Sequence, residues 1–69
     1  MYVIKEKDFK GQRGEYIVWA TPFAGLSMST TTKDIDEARK FESMVDAYKY
    51  IEKNQMNRKL YQVVGDKNV

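Results

Sequence analysis

The chain has 69 residues, with 12 Lys and Arg against 10 Asp and Glu, and neither cysteine nor histidine. The absence of both residue types excludes thiolate and imidazole catalysis, structural zinc and iron–sulfur sites. A net charge of +2 is small for a protein that coats DNA, and so short a chain supplies only one hydrophobic core. We therefore expect one small domain that is not an enzyme.

Membrane and secretory segments are not predicted. No apolar stretch approaches the roughly 18 residues of a membrane span, and the N-terminus turns charged from Lys5 onward, too early for a secretory signal. The lack of cysteine agrees with a reducing compartment. These features predict a cytoplasmic protein with no membrane partner.

Two strands are predicted in the first part of the chain. Tyr2 to Asp8 begins apolar and ends charged, and Tyr16 to Ala20 is rich in β-branched and aromatic residues. The six residues from Phe9 to Gly14 include two glycines, which predicts a flexible hairpin loop. A phosphate-binding loop is disfavoured because the segment lacks a Gly-Lys-Ser/Thr ending and leads into a strand.

A third strand follows a predicted break. Residues 21 to 25 include a proline and a glycine, after which Leu26 to Thr30 alternates apolar and polar side chains. This alternation predicts a strand that is apolar on one face and hydroxylated on the other. The preceding strand has no polar side, since Tyr16 and Val18 are expected opposite Ile17 and Trp19.

Two capping patterns predict the helical elements. Asp34, with Glu37 three residues later, predicts one helical turn pinned to the core by Ile35, Ala38 and Phe41. Ser43 with Asp46 predicts the start of an amphipathic helix of about three turns, whose apolar side comprises Met44, Ala47, Tyr48 and Ile51. Leu60 to Val64 predicts the last strand.

This β-β-β-α-β order predicts an α+β fold, a small antiparallel sheet with one amphipathic helix packed on one face. The domain is expected to span residues 1–64, and residues 65–69 are expected to form a frayed C-terminal tail. One helix cannot cover both faces of the sheet. We therefore expect the face away from the helix to remain open.

Residues 32–43 resemble a pattern in small uncharacterised accessory proteins of bacteriophages and prophages of Gram-positive bacteria. The pattern reads Thr-Lys-Asp-Ile-Asp-Glu-Ala-Arg-Lys-Phe-Glu-Ser and continues with Asp46-Ala47 in the predicted helix. A hairpin beginning like Tyr2-Val3-Ile4-Lys5 and a closing strand like Leu60 to Val64 flank the same turn and helix, so the resemblance covers most of residues 2–64. It rests on packing residues and caps, and it implies expression in an infected or lysogenic cell but no activity.

The open sheet face and the loop beside it predict protein binding, because aromatic and methionine side chains are favoured at interface centres. Candidate contacts are Tyr16, Trp19, Phe23 and Leu26. The partner is a host or defence protein, or a second copy of the chain in a homodimer. Taken singly, Trp19 and Phe23 are about as well explained as caps on the core edge.

The alternative function is nucleic-acid binding by aromatic and basic side chains of the sheet and its loops. The aromatic candidates are Tyr2, Tyr16, Trp19 and Tyr61, and the basic ones are Lys5, Lys7, Lys10 and Arg13. The small net charge argues against this function.

Acidic side chains cluster in the middle of the chain, at Asp34, Asp36, Glu37 and Glu42. This cluster lacks the glycine and distal glutamate of a calcium loop, and capping already explains two of its members. The small core leaves no room for a deep pocket. We therefore expect no metal, no cofactor and no small-molecule substrate.

Overall fold

In a computed structural model, which describes residues 1–66, the chain forms a four-stranded antiparallel sheet and one α-helix. The predicted α+β class is confirmed. The strands lie in the order β3-β2-β1-β4. The elements are β1 (Tyr2–Glu6), β2 (Tyr16–Phe23), β3 (Leu26–Thr32), a 3-10 turn (Ile35–Glu37), α1 (Met44–Lys53) and β4 (Tyr61–Gly65).

The sheet consists of two strand pairs that meet over a short length. β1 pairs with β4 along its whole length, and β2 pairs with β3, whereas the register between β1 and β2 is set at Lys5 and Tyr16. Beyond that point, residues 39–41 lie between the two pairs. Phe41 exchanges two backbone hydrogen bonds of 2.8 Å with Tyr2, and Arg39 N donates to Ile17 O at 3.0 Å.

The core lies between one face of the sheet and α1, which packs mainly on β1 and β4. Its buried members are Ile4, Ile17, Ala20, Phe41, Ala47, Ile51 and Met56. Ala47 and Ile51 face the sheet as predicted, but Met44 and Tyr48 are exposed. Tyr50 packs against the core instead, so the buried side of α1 is rotated from the predicted one.

Tyr50 also ties β2 to the helix. Its hydroxyl accepts a hydrogen bond from Ala20 N at 3.0 Å and donates one to Ala20 O at 3.2 Å. β1 has diverged from β2 at this point, so the phenol satisfies backbone groups that would otherwise need a neighbouring strand. This pair of bonds anchors the β2–β3 hairpin to the rest of the domain.

The helical caps form as predicted. Asp34 Oδ1 accepts from Asp36 N at 2.9 Å, and Ser43 Oγ accepts from Asp46 N at 3.1 Å. Glu37 does not close a reciprocal capping box but accepts a hydrogen bond from Thr32 Oγ1 at 3.3 Å. The turn is held against the domain by the half-buried Ile35 and the buried Ala38 and Phe41, also as predicted.

All four strands differ at an end from those predicted, and β2 and β3 are longer, extending to Phe23 and Thr32. β1 ends at Glu6, two residues before Asp8, so the connection to β2 covers residues 7–15 rather than six residues. β4 includes Gly65, which pairs with Tyr2, and Asp66 N donates to Met1 O at 2.9 Å. The ordered chain therefore continues past the expected boundary at residue 64. Of the predicted tail, residues 67–69 lie outside the described residues.

No helix within residues 1–66 is both long enough and apolar enough to cross a membrane.

Candidate functional site

A β-bulge in β2 decides which side chains reach the face away from α1. Ile17 pairs with Thr31 and Trp19 pairs with Thr30, so Val18 is an extra residue in β2. Ile17 and Ala20 consequently both belong to the core, and Trp19, which directly precedes Ala20, faces the other way. The prediction that Trp19 shares a face with Ile17 is wrong because simple alternation does not hold across a bulge.

The predicted break at residues 21–25 is shorter than expected, since β2 continues to Phe23 and only Ala24 and Gly25 separate it from β3. Ala24 and Gly25 form the turn with φ of 52° and 79°. Two successive residues of positive φ match the twist of a two-residue hairpin. Pro22 is tolerated because it lies one pair from the turn, where the missing N–H would point away from β3.

Four large apolar side chains lie on the face of the hairpin away from α1, and we call them the open face. They are Trp19, Phe23, Leu26 and Met28, with exposed fractions of 45%, 57%, 71% and 49%. Phe23 pairs with Leu26, and Met28 pairs with Thr21 between Trp19 and Phe23, so the four are neighbours. If each side chain has about 200 Å² of surface, the four together expose on the order of 400 Å². This area is about half of what one partner buries in a standard protein interface.

The hairpin around the open face is free of charged side chains. Residues 16–32 contain no Asp, Glu, Lys or Arg. The opposite side of β3 carries hydroxyl groups, from Ser27, Ser29 and Thr31. An uncharged aromatic and methionine surface is suited to burial against another apolar surface.

Three of the four predicted protein contacts, Trp19, Phe23 and Leu26, belong to the open face. Tyr16 lies on the same side of β2, opposite the buried Ile17, but at the other end of the strand. Tyr16 is half-buried at the start of β2, where it pairs with Lys5 and Thr32. Phe23 lies about 20 Å away along β2. Met28 is a member of the open face that is not among the predicted contacts, although its alternation with Leu26 places both side chains on one side of β3.

The predicted nucleic-acid contacts are only partly brought together. Lys7, Arg13 and Tyr61 line one groove of about 240 Å³ next to the β1–β2 loop. The Lys5 ammonium is bound to Asp8 Oδ1 at 2.9 Å, and its side chain is 13% exposed.

The remaining members of the predicted set lie elsewhere. The Lys10 ammonium lies 5.3 Å from the centre of the Phe9 ring, Tyr2 packs against the core, and Trp19 belongs to the open face. The predicted basic and aromatic set therefore does not form one surface.

The β1–β2 loop, for which the sequence predicts a flexible tip, is closed by hydrogen bonds. Phe9 and Gln12 exchange two backbone hydrogen bonds of 3.0 Å around a turn in which Lys10 and Gly11 have positive φ. Asp8 Oδ1 accepts from Gly14 N at 2.9 Å. This bond, and then the Lys5 ammonium, holds the pKa of Asp8 below its ordinary value of 3.8.

The acidic side chains considered for metal binding do not converge. Within residues 1–66 no three His, Cys, Asp or Glu side chains lie close enough together to hold a metal ion. Asp34 and Glu37 are instead engaged in the cap and in the bond to Thr32 described above.

Comparison with protein families, with curated proteins and with solved structures found no match for this chain.

Proposed function

We propose that the protein acts by binding another protein through the open face, without catalysis. The observation that carries this proposal is the cluster formed by Trp19, Phe23, Leu26 and Met28, which are between 45% and 71% exposed. An apolar patch of several hundred Å² on a monomer is often functional. On this chain the patch is close to a tenth of the total accessible surface of 4950 Å².

The composition of the hairpin favours a protein over a nucleic acid at this face. Nucleic-acid affinity comes largely from Lys and Arg contacts to phosphates, and residues 16–32 contain neither. Aromatic and methionine side chains with few charges are typical of the centre of a protein interface. The hydroxyl groups of Thr21 and Thr30, which face the same way, provide polar contacts at the margin.

The resemblance to small phage and prophage proteins supports a setting for this binding. It favours the cytoplasm of a Gram-positive bacterium as the place of action and a host or defence protein as the partner. A second copy of the chain is the other partner that the open face would accept, because an apolar face can pack on itself about a two-fold axis.

The test compares variants in which one exposed aromatic side chain is replaced by serine, either in the open face or elsewhere. Phe23→Ser and Trp19→Ser remove parts of the open face, whereas Phe9→Ser removes a ring that is 70% exposed in the β1–β2 loop. Sedimentation analysis of the wild-type chain over a range of concentrations measures self-association. Capture from a Gram-positive lysate, quantified by the stoichiometry of the retained protein, measures binding to a host partner.

We expect the wild-type chain either to dimerise or to retain one protein at a fixed ratio. Phe23→Ser and Trp19→Ser should abolish that association with little change in melting temperature, and Phe9→Ser should preserve it. Association that survives both open-face substitutions, or that is lost equally with Phe9→Ser, would contradict the proposal.

A further inference from the structure

A cleft lies at the end of the sheet where β2 begins and β3 ends, away from the open face. It has a volume of about 590 Å³ and is lined by Gln12, Arg13, Gly14, Glu15, Tyr16 and Lys33. This volume is within the range of small-molecule sites. The sequence predicts no such site because the core is too small for a deep pocket, but this cleft is formed outside the core by the β1–β2 loop and the strand ends.

Two cationic side chains at the cleft form no ion pair in the part of the chain that the structure describes, although the charge of Arg13 acts on the nearby Asp8 carboxylate. Arg13 and Lys33 are exposed, and neither forms an ion pair within residues 1–66. The acidic group of the lining, Glu15, accepts a hydrogen bond from Thr31 Oγ1 at 2.9 Å and keeps its negative charge, so Arg13, Lys33 and Glu15 together give the lining a net charge of +1. The unused donors of an arginine and a lysine match the oxygen atoms of a phosphate group.

Tyr16 adds an aromatic ring to the same lining. It is half-buried, and the sheet fixes its backbone through the pairs with Lys5 on one side and Thr32 on the other. Proteins hold nucleotide units by stacking the base on an aromatic ring while cationic side chains contact the phosphate. The cleft contains both of these parts.

The wall that carries Arg13 is ordered by hydrogen bonds of the two residues that follow it. Gly14 N donates to Asp8 Oδ1 at 2.9 Å, Glu15 N donates to Glu6 Oε1 at 3.0 Å, and Glu6 N donates to Glu15 O at 2.9 Å. A ligand would therefore not have to order this part of the loop, which lowers the entropic cost of binding.

We propose that this cleft binds a nucleoside phosphate, with the base against Tyr16 and the phosphate between Arg13 and Lys33. The ligand is a free nucleotide or one unit of a single-stranded nucleic acid. A strand has a further contact surface, because Arg13 also lines the neighbouring groove of about 240 Å³, together with Lys7 and Tyr61. A free nucleotide would occupy the cleft alone.

The experiment is an NMR titration of the ¹⁵N-labelled full chain at low salt. The probes are thymidine 5′-monophosphate, inorganic phosphate and a short oligothymidylate. We expect saturable shifts of the amides of residues 12–16 and 33, with the nucleotide at least tenfold tighter than inorganic phosphate because of stacking on Tyr16. Absence of saturable binding by both the nucleotide and the oligonucleotide would overturn the proposal.

Matched variants test the assigned contacts. Arg13→Gln with Lys33→Gln should weaken nucleotide binding at least tenfold, whereas Lys49→Gln with Lys53→Gln removes the same charge from the exposed side of α1 and should have little effect. An equal loss in both double variants would show a non-specific charge effect and overturn the site. Tyr16→Leu should weaken the nucleotide but not inorganic phosphate, and an unchanged nucleotide affinity would overturn the stacking assignment.

The affinity for the oligothymidylate decides whether the ligand is a free nucleotide or part of a single strand. Tighter binding of the oligothymidylate than of the monophosphate, reduced by Tyr61→Leu, identifies a single strand that enters the groove. Equal affinities that do not respond to Tyr61→Leu identify a free nucleotide. Either result supports the cleft as a nucleoside phosphate site, and neither depends on the open face binding a protein.

Discussion

Gly14 lies where the β1–β2 loop comes closest to β1. A Cβ atom added at this residue would lie 1.8 Å from Glu6 O, a backbone atom that cannot rotate away. We expect Gly14→Ala to displace the loop and to lower the free energy of unfolding by about 1–3 kcal/mol or more, as overpacking does. Urea denaturation of the variant measures this loss.

A second loop glycine provides the control for that prediction. Gly11 has a φ of +80° and open space around its Cβ position. Asparagine tolerates this conformation, so Gly11→Asn should cost clearly less than Gly14→Ala. Equal costs would show that the contact with Glu6 does not constrain the loop.

The lowered pKa of Asp8 makes the loop sensitive to acid. Its folded-state pKa is below the ordinary value of 3.8, chiefly because the carboxylate accepts from Gly14 N. This contribution to stability is fully present above the unfolded-state value and is lost as the pH falls through the folded-state value. The Gly14 amide resonance should therefore titrate with a midpoint below 3.8, and Asp8→Asn should remove the transition. A midpoint at or above 3.8 would contradict the assigned hydrogen bond.

The cap of α1 is the clearest prediction at the level of a single element. Ser43 Oγ accepts from Asp46 N at 3.1 Å, so Ser43→Ala should lower the free energy of unfolding by about 1 kcal/mol, whereas Ser43→Asp should change it little. Ser29→Ala, which removes an exposed hydroxyl from β3, is the control. Thermal melts in which Ser43→Ala and Ser29→Ala are equally stable would show that the cap contributes nothing.

The sequence predicts α1 and its caps well because both signals are local. The hydroxyl of Ser43 and the periodicity of Ala47 and Ile51 involve residues within two turns of one another. Which side of α1 is buried is not determined by local sequence, since it depends on how α1 crosses the sheet. Tyr50 is drawn to the core by Ala20, 30 residues away, and by the Phe41 ring, whose centre is 5.3 Å from its own.

The β2–β3 hairpin shows why sequence patterns fail at the sheet. Its strand types are readable from composition, but the bulge at Val18 exists only in the pairing with β3, and it reverses the side that Trp19 faces. Pro22 predicts a break because proline cannot donate to a ladder, yet its place in the register leaves no donor missing toward β3. The register between two strands depends on both of them, so the sequence of one strand does not determine it.

At the level of the whole molecule, the two candidate surfaces differ in how far the sequence predicts them. The open face is anticipated, because one helix cannot cover both faces of the sheet and Trp19, Phe23 and Leu26 are close in sequence. The expectation holds only at the β2–β3 hairpin, since Val3, on the same side of the sheet in β1, is fully buried. The cleft is not anticipated from the sequence, because Arg13 and Lys33 are 20 residues apart. They come together beside Tyr16 only through the pairing of Tyr16 with Thr32.

The whole domain is stabilised by one small hydrophobic core between α1 and the sheet. The central side chains of α1 are Ala47, with no exposed surface, and Ile51, which is 1% exposed and is among the largest fully buried residues of the described chain. A domain of this length has a free energy of unfolding of roughly 3–10 kcal/mol. The loss of one large buried side chain therefore affects the stability of the entire protein rather than of one element.

Ile51→Ala is expected to lower the free energy of unfolding by about 2–5 kcal/mol, because it removes buried methylene groups and leaves a cavity between α1 and the sheet. Much of the protein should then be unfolded near physiological temperature. Ile51→Val, which removes one methylene group, should cost about 0.5–1.5 kcal/mol. Val45→Ala changes a helix residue that is 60% exposed and should cost less than either. Chemical denaturation followed by far-UV circular dichroism gives all three values, and an Ile51→Ala protein as stable as Val45→Ala would show that α1 packs on the sheet through a different side.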